Sequence, residues 1–310
     1  MSIVVFGSIN MDLVVKVPRL PLAGETIPSK EFFTASGGKG ANQAVAAAQL
    51  GFPVHFVGQV GNDGFGRSLL ASLQAAGVKT DAVKINSTIH SGIASIAVAE
   101  NGDNTIAIAA GANGLVGSSE ISALTGLLDN ATVVMLELGV PLDTVFEAAK
   151  AAKSAGAIVI LDPAPAPVSL PAELYTLVDY ITPNEVEASQ LTGLTVTDRN
   201  SAIEAANFFI AKGVKTAIVT LGKLGCCCLS EGQTYFIEPI EVEVVDTVGA
   251  GDGFNGGFAA GLAAGKSLQE ALQWATAMGA LSVTKEGART ILKDTQEFFT
   301  TLDRFSPSGK

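Results

Sequence analysis

Aromatic residues make up only 6% of this 310-residue chain and charged residues only 16%. Both are scarce beside the 48% that are hydrophobic, so the composition supplies a sizeable core and excludes a disordered chain. Basic residues are the scarcer sign: 19 Lys and Arg stand against 30 Asp and Glu, for a formal net charge of −11. Nothing resembles the basic patch of a protein that binds a nucleic-acid backbone. An acidic protein still binds anionic ligands where backbone amides and a metal do the work. The three cysteines are consecutive, Cys226, Cys227 and Cys228 in LGCCCLSEG, and offer no metal-ligand spacing. That stretch reads as a strand, where adjacent side chains point to opposite faces. They are expected to be small core residues in a protein of a reducing compartment. His55 and His90, the two histidines, read as structural or surface residues. No apolar run reaches the ~18 residues of a membrane helix. The opening MSIVVFGSINMD has neither a basic n-region nor a cleavage site, so a cytoplasmic protein is expected.

Glycine is plentiful and punctuates the chain. SIVVFG (2–7) reads as a buried strand and MDLVVKV as a shorter alternating one. ETIPSKEFFTAS (25–36) contains Pro28 and reads as an edge strand. Residues 38–51 read as a helix opened by glycines and closed by Gly51, 54–61 as a strand, and 63–77 as a helix ending at Gly77. Residues 91–113 read as a β-hairpin turning at Asn101-Gly102. From ATVVMLEL to KTAIVTLG, strands and helices alternate at the spacing of βαβ units, which predicts a parallel sheet with helices on its faces. The segments 12–36 and 90–110 fall outside that alternation. They are expected to pair into a small β subdomain laid over the main sheet as a lid, within one domain spanning 1–310.

Open α/β sheets bind ligands beyond the carboxyl ends of their strands. That rule selects Asn10, Asp12, Gly37–Asn42, Glu137, Asp162, Asn184, Thr220–Gly225 and Gly249–Asp252. Gly37, Gly38 and Gly40 precede a helix and allow close backbone approach, or simply make a tight connection; the Walker A spacing is absent. Asn10 and Asp12, two apart, suit vicinal hydroxyls or an Asx turn. Asn184 and Glu187 stand three apart at a helix start, as ligand groups or as a capping box. TLGKLG (220–225) makes a backbone wall for a phosphate or an ordinary hairpin. In VVDTVGAGDGFNGGFAAGLAAG (244–265), a short apolar strand leads through a glycine turn carrying Asp252 into a small-residue helix. A helix start favours an anion, so an acid there reads as the phosphate's neighbour, placed to activate an attacking hydroxyl.

Taken in order, GGKGANQAVAAA, PAPA, ITPNEVEASQLTG and DTVGAGDGFNGGF closely resemble the ribokinase branch of the carbohydrate kinases, which also include fructokinases and adenosine kinases. The resemblance runs from about residue 2 to about residue 300. It implies a ribokinase-like three-layer α/β sandwich with a mostly parallel central sheet and a small β-sheet lid. It also implies ATP-dependent phosphorylation of the primary 5-hydroxyl of D-ribose, with Mg2+ and activation by K+. By the same resemblance Asp252 is the catalytic base, and Gly249, Ala250 and Gly251 form the anion hole. Asn10, Asp12, Gly38, Lys39 and Asn42 meet the sugar. Asn184, Thr220, Leu221, Gly222, Gly225, Gly251 and Thr276 meet ATP. Glu187 is associated with Mg2+, and Asp246, Val248, Ser282, Lys285, Gly287 and Ile291 fall where relatives bind a monovalent cation. A homodimer joined through the lid is expected.

One departure stands out. Relatives carry a glutamate near the sugar, and an ungapped match puts Gly139 there, with Glu137 two residues earlier. On an extended strand the two positions share a face, so Glu137 would reach a hydroxyl from one step deeper. The alternatives left open are a fructokinase, another sugar or nucleoside kinase, and a non-catalytic binding regulator on the same fold.

Overall fold

The computed structural model describes residues 2–285, 287, 289 and 292–305. The chain opens with β1 (Ser2–Phe6), buried throughout, and continues into β2 (Asn10–Val17) and β3 (Glu31–Gly37). Next come α1 (Lys39–Gln49), β4 (Val54–Gly61), α2 (Gly64–Ala75) and the short strands β5 (Val78–Lys79) and β6 (Val83–Asn86). The hairpin β7 (Gly92–Ala99) and β8 (Asn104–Ala109) precedes α3 (Ser118–Thr125). The predicted alternation follows: β9 (Ala131–Glu137), α4 (Leu142–Ser154), β10 (Ile158–Asp162), α5 (Ala172–Leu177) and β11 (Tyr180–Ile181). It continues through α6 (Glu185–Thr192), α7 (Arg199–Lys212) and β12 (Thr216–Thr220) to β13 (Cys226–Ser230) and β14 (Gln233–Ile237). Helices α8 (Ala250–Ala263), α9 (Leu268–Ser282) and α10 (Thr295–Leu302) complete the described chain. None of these helices is long and apolar enough to cross a membrane.

The main sheet has the order β14-β13-β12-β11-β10-β9-β1-β4-β5, with β6 also paired to β4. Every pair is parallel except β12–β13 and β13–β14. Alternation along the strands feeds two cores. Ile3 and Val5 pack among α1, α2, α8 and α9, whereas Val4 and Phe6 pack among α3, α4 and α7. The three cysteines obey the same rule: Cys226 and Cys228 enter the first core and Cys227 the second.

The second sheet has the order β3-β2-β7-β8, with β2 and β7 parallel and the outer pairs antiparallel. β3 lies at an edge as expected, but it starts at Glu31, after Pro28, which has no N–H to give a ladder. The hairpin turn is longer than an Asn-Gly pair. Gly102 N donates to Ala99 O at 2.9 Å and Ala99 N to Asp103 O at 2.8 Å. Only Gly102 takes a positive φ, of 89°, so this is a type I turn with an added glycine. Residues 244–249 form no strand, contrary to expectation. Val245 N and Asp246 N both donate to Val283 O, at 2.7 and 3.2 Å, which ties the segment to the end of α9.

Helix α8 is glycine-rich because its neighbours leave no room for side chains. A Cβ on Gly257 would lie 2.7 Å from Trp274 O of α9, and one on Gly256 2.7 Å from Gln43 O of α1. The wedge between α1 and α9 aims the start of α8 at the start of α1.

Candidate active site

Gly38 caps α1 at φ 93°, in the left-handed region, and a Cβ there would lie 2.6 Å from Ile9 Cα. The glycine loop therefore presses on the segment that joins β1 to β2. Lys39, Asn42 and Gln43 share one face of α1 (i, i+3, i+4). Asn42 Nδ2 donates to Asp252 Oδ2 at 2.9 Å. Gln43 Nε2 donates to Asp162 Oδ2 at 2.8 Å and reaches Asp252 Oδ1 at 3.3 Å. Lys39 Nζ stands 3.7 Å from Asp162 Oδ2.

Asp252 occupies the first turn of α8, behind Gly249 at φ 80°. It is 5% exposed, and burial raises its pKa against the pull of Lys39, Asn42 and Gln43. Burial also raises Asp162 well above the usual carboxylate range, with Lys39 opposing. Burial works against the charge of Lys39, yet Asp162, Asp252, Glu187 and Glu137 together hold its pKa up. The first turn of a helix leaves N–H groups without intrahelical partners. Those of Gly251 and Asp252 lie in that turn, while Ala250 N donates to Thr247 O at 3.3 Å. No atom stands within 4 Å of a Cβ on Gly251, so the space over it is open.

Asn10 and Asp12 begin β2 beside this cluster. Asn113 Nδ2 donates to Asn10 Oδ1 at 2.7 Å, and its Oδ1 accepts from Ile9 N at 3.0 Å, which fixes the strand's entry. Burial raises Asp12 to about 6, with the Arg289 guanidinium lowering it and Asp252 raising it. Glu137 does not extend outward. It is wholly buried: one carboxylate oxygen accepts from Ser8 N, the other from Gly139 N at 2.6 Å.

On the other side of Asp252, a pocket is lined by Lys39, Asp162, Asn184, Glu187, Thr220 and Gly251, among others. Asn184 and Glu187 form the full capping box of α6. Asn184 Oδ1 accepts from Val186 N and Glu187 N, both at 2.8 Å, and Glu187 Oε2 accepts from Asn184 N at 2.9 Å. Both residues line the pocket while they make the cap, so the cap leaves them at its wall. Leu221, Gly222 and Gly225 make a single 3-10 turn after β12, closed by Leu221 N to Gly225 O at 2.8 Å. Thr276 on α9 donates to Leu272 O at 2.9 Å and neighbours Cys226, the residue after this turn.

Asp246 knots two loops: Oδ1 accepts from Val248 N and Oδ2 from Gly287 N, each at 3.0 Å. Ser282 Oγ donates to Met278 O at 2.9 Å, and Lys285 pairs with Glu297 at 3.1 Å. Ile291 lies outside the described residues.

Several participants were not singled out by the sequence. Gln43 is the next residue after Asn42 and shares its helix face, which is a usable signal. Asn255 follows Asp252 by three residues, on the same face of α8. Asn113 and Arg289 are remote in sequence and carry no local signal. Asn255 lines the pocket, and its Oδ1 is a buried side-chain oxygen without a partner among the described residues. An orphan amide oxygen beside Asp162 and Glu187 makes an all-oxygen donor set. That set fits Mg2+, which takes one or two carboxylates and keeps several waters and phosphate oxygens.

A model of the pfkB family of carbohydrate kinases matches residues 1–295. A ribokinase of Haemophilus influenzae is 39% identical over 296 residues, covering 96% of each chain. A deoxyribokinase of Salmonella typhi is 35% identical over 298 residues, covering 96% of this chain and 97% of the relative. The solved structure of Arabidopsis thaliana ribokinase complexed with ribose and ATP superposes with a TM-score of 0.89 at 35% identity, covering 97% of this chain and 98% of that one. The chain belongs to the pfkB family of carbohydrate kinases.

Proposed function

We propose that this enzyme transfers the γ-phosphoryl group of ATP to the primary 5-hydroxyl of D-ribose, giving D-ribose 5-phosphate and ADP. The observation that carries the reading is the placement of Asp252. One buried carboxylate is gripped by Asn42 and Gln43 from the GGKGANQ helix and sits in the first turn of α8. Acceptor groups (Asn10, Asp12, Gly38, Asn42) lie on one side of it, and the Asn184–Glu187–Thr220 pocket lies on the other. Asp252 takes the proton of the attacking hydroxyl, and its raised pKa brings it nearer to working pH as a base. The free N–H groups at the start of α8 stabilise charge on the transferred group. Lys39 offsets the surrounding carboxylates and faces the phosphates. Leu221, Gly222 and Gly225, with Thr276, offer a backbone wall for the nucleotide.

A hydrated Mg2+ would neutralise phosphate charge here, held by Glu187 and Asp162 with Asn255 within its water shell. K+ activation belongs to the same reading, with the ion near Asp246, three residues ahead of the anion hole; equal rates in K+ and in a large organic cation would remove it. Within a single domain, the small sheet acts as the lid that excludes water from the transfer. Its edge strand β8 is exposed at all six positions, with Ile106 at 54% and Ile108 at 60%, and makes the homodimer surface. Light scattering after size exclusion that gives monomer alone would overturn the dimer. Three buried free thiols suit a cytoplasmic location.

2-Deoxyribose is the second reading. Gly139 brings no side chain and Glu137 turns inward, so one carboxylate expected at the sugar is missing. ADP release with ribose, 2-deoxyribose, fructose and adenosine, in ATP, Mg2+ and K+, tests both. Turnover with ribose above the others supports the first reading, and preference for 2-deoxyribose the second. Silence with all four rejects both readings and leaves another acceptor or a binding role.

A further inference from the structure

No motif of the family reading singles out Arg289, yet its guanidinium reaches the acceptor side of the site. Nε donates to Asn42 Oδ1 at 3.3 Å, Nη1 to Ser72 Oγ at 2.6 Å and Nη2 to Gly37 O at 3.3 Å. These partners belong to α1, α2 and the end of β3, and Arg289 also faces the Asp12 carboxylate. A half-buried guanidinium loses hydration, and burial lowers its pKa to about 10 against the attraction of Asp12. A surface position would avoid that cost, so the placement needs a compensating role.

We propose that Arg289 is a positioning residue for the acceptor sugar, which fixes the orientation of Asn42 and brackets Asp12. The argument is one of donor and acceptor polarity. Arginine can only donate, and an ionised aspartate can only accept. Asn42 stands between the two: Oδ1 takes the Arg289 hydrogen and Nδ2 gives one to Asp252. The carboxamide is thus held in one of its two flips from both ends, and each hydrogen bond in such a chain polarises the next. Asp12 and Gly37 flank the same guanidinium at the point where the β2–β3 ladder already pairs Asn10 with Gly37, so Arg289 adds charge to a preset frame. The segment after α9 therefore acts on acceptor geometry, although the family reading gives it only a cation.

This inference rests on the assignment of Asp12 and Asn42 to the acceptor pocket, and its test reads that assignment separately. Steady-state constants for the preferred pentose and for ATP are compared in wild type, Arg289→Met and Arg289→Lys, with pentose binding followed by calorimetry. Arg289→Met is expected to raise KM and Kd for the pentose about tenfold, as for loss of a charge-assisted hydrogen bond. KM for ATP stays within about twofold, and Arg289→Lys recovers much of the loss. A plain structural clamp would instead lower the melting temperature and weaken both substrates alike, which overturns the proposal. Unchanged constants in both variants overturn it too. A wild type that phosphorylates and binds no pentose removes the pocket assignment and the proposal together. Should Arg289→Met not fold, an Arg289→Lys protein identical to wild type in pentose KM is consistent with the proposal only if Asn42→Ala raises that KM, and overturns it otherwise.

Discussion

Asn42 Nδ2 lies 2.9 Å from Asp252 Oδ2, although 210 residues separate them in the chain. The contact joins the glycine loop at one end of the fold to the glycine-capped helix at the other. Asp252 is thereby held by a neutral donor that leaves its charge in place. The Asp252→Asn protein is expected to fold, since loss of a buried charge offsets the amide donor it sets against Gln43 Nε2. Its kcat should fall by at least about 100-fold, the usual scale of a lost general base. Near-normal turnover would end the base assignment.

Asp12 gives a prediction in pH. Burial raises it to about 6, with Arg289 lowering it and Asp252 raising it. Below that pH Asp12 is protonated and loses acceptor capacity for a sugar hydroxyl; above it the carboxylate is restored. KM for the pentose should therefore climb as pH falls through about 6, while KM for ATP should not follow. The Asp12→Asn enzyme should have a high pentose KM without this inflection; if the inflection persists, another group is responsible.

Glu137 was expected to offer a hydroxyl contact, and it is buried instead against two amides. In Glu137→Ala both Ser8 N and Gly139 N lose their acceptor, at about 1–3 kcal/mol for each buried orphan. Glu137→Gln sets an amide donor against one of those N–H groups and is no conservative change. Both variants should melt several degrees lower. Lost activity at an unchanged melting temperature would mean instead that Glu137 touches the sugar.

The orphan oxygen of Asn255 predicts a metal effect that can be read without turnover. Mn2+ affinity in the presence of ADP, followed by electron paramagnetic resonance, should weaken several-fold in Asn255→Leu. Asn255→Asp, which keeps an oxygen in place, should bind the ion at least as well as wild type. Equal affinity in all three proteins would remove Asn255 from the metal's surroundings.

Much of this architecture could be read from residue order because its signals are local. The period of two in SIVVF, and the cysteines splitting between two cores, follow from strand geometry alone. Asp252 stood out because a helix start among glycines has a known electrostatic use. Residues 244–249 misled because apolar content alone does not make a strand; Val245 N and Asp246 N go to Val283 O and Val248 N to the Asp246 side chain. The hairpin turn misled in a smaller way, since Asn101-Gly102 serves equally in a longer loop. Asn113 and Arg289 were illegible because their partners lie 104 and 247 residues away. Nothing local distinguishes an arginine that crosses such a span from one that meets water.

The cysteine triplet turns β13 into a built-in reporter. Cys226 and Cys228 face the layer of α8 and α9, and Cys227 faces that of α7. All three are free and buried, so each reacts with an alkylating reagent only when its own side of the sheet opens. Mass spectrometry of timed labelling would then separate breathing of the α8–α9 layer from breathing of the α7 layer, with no probe added to the protein.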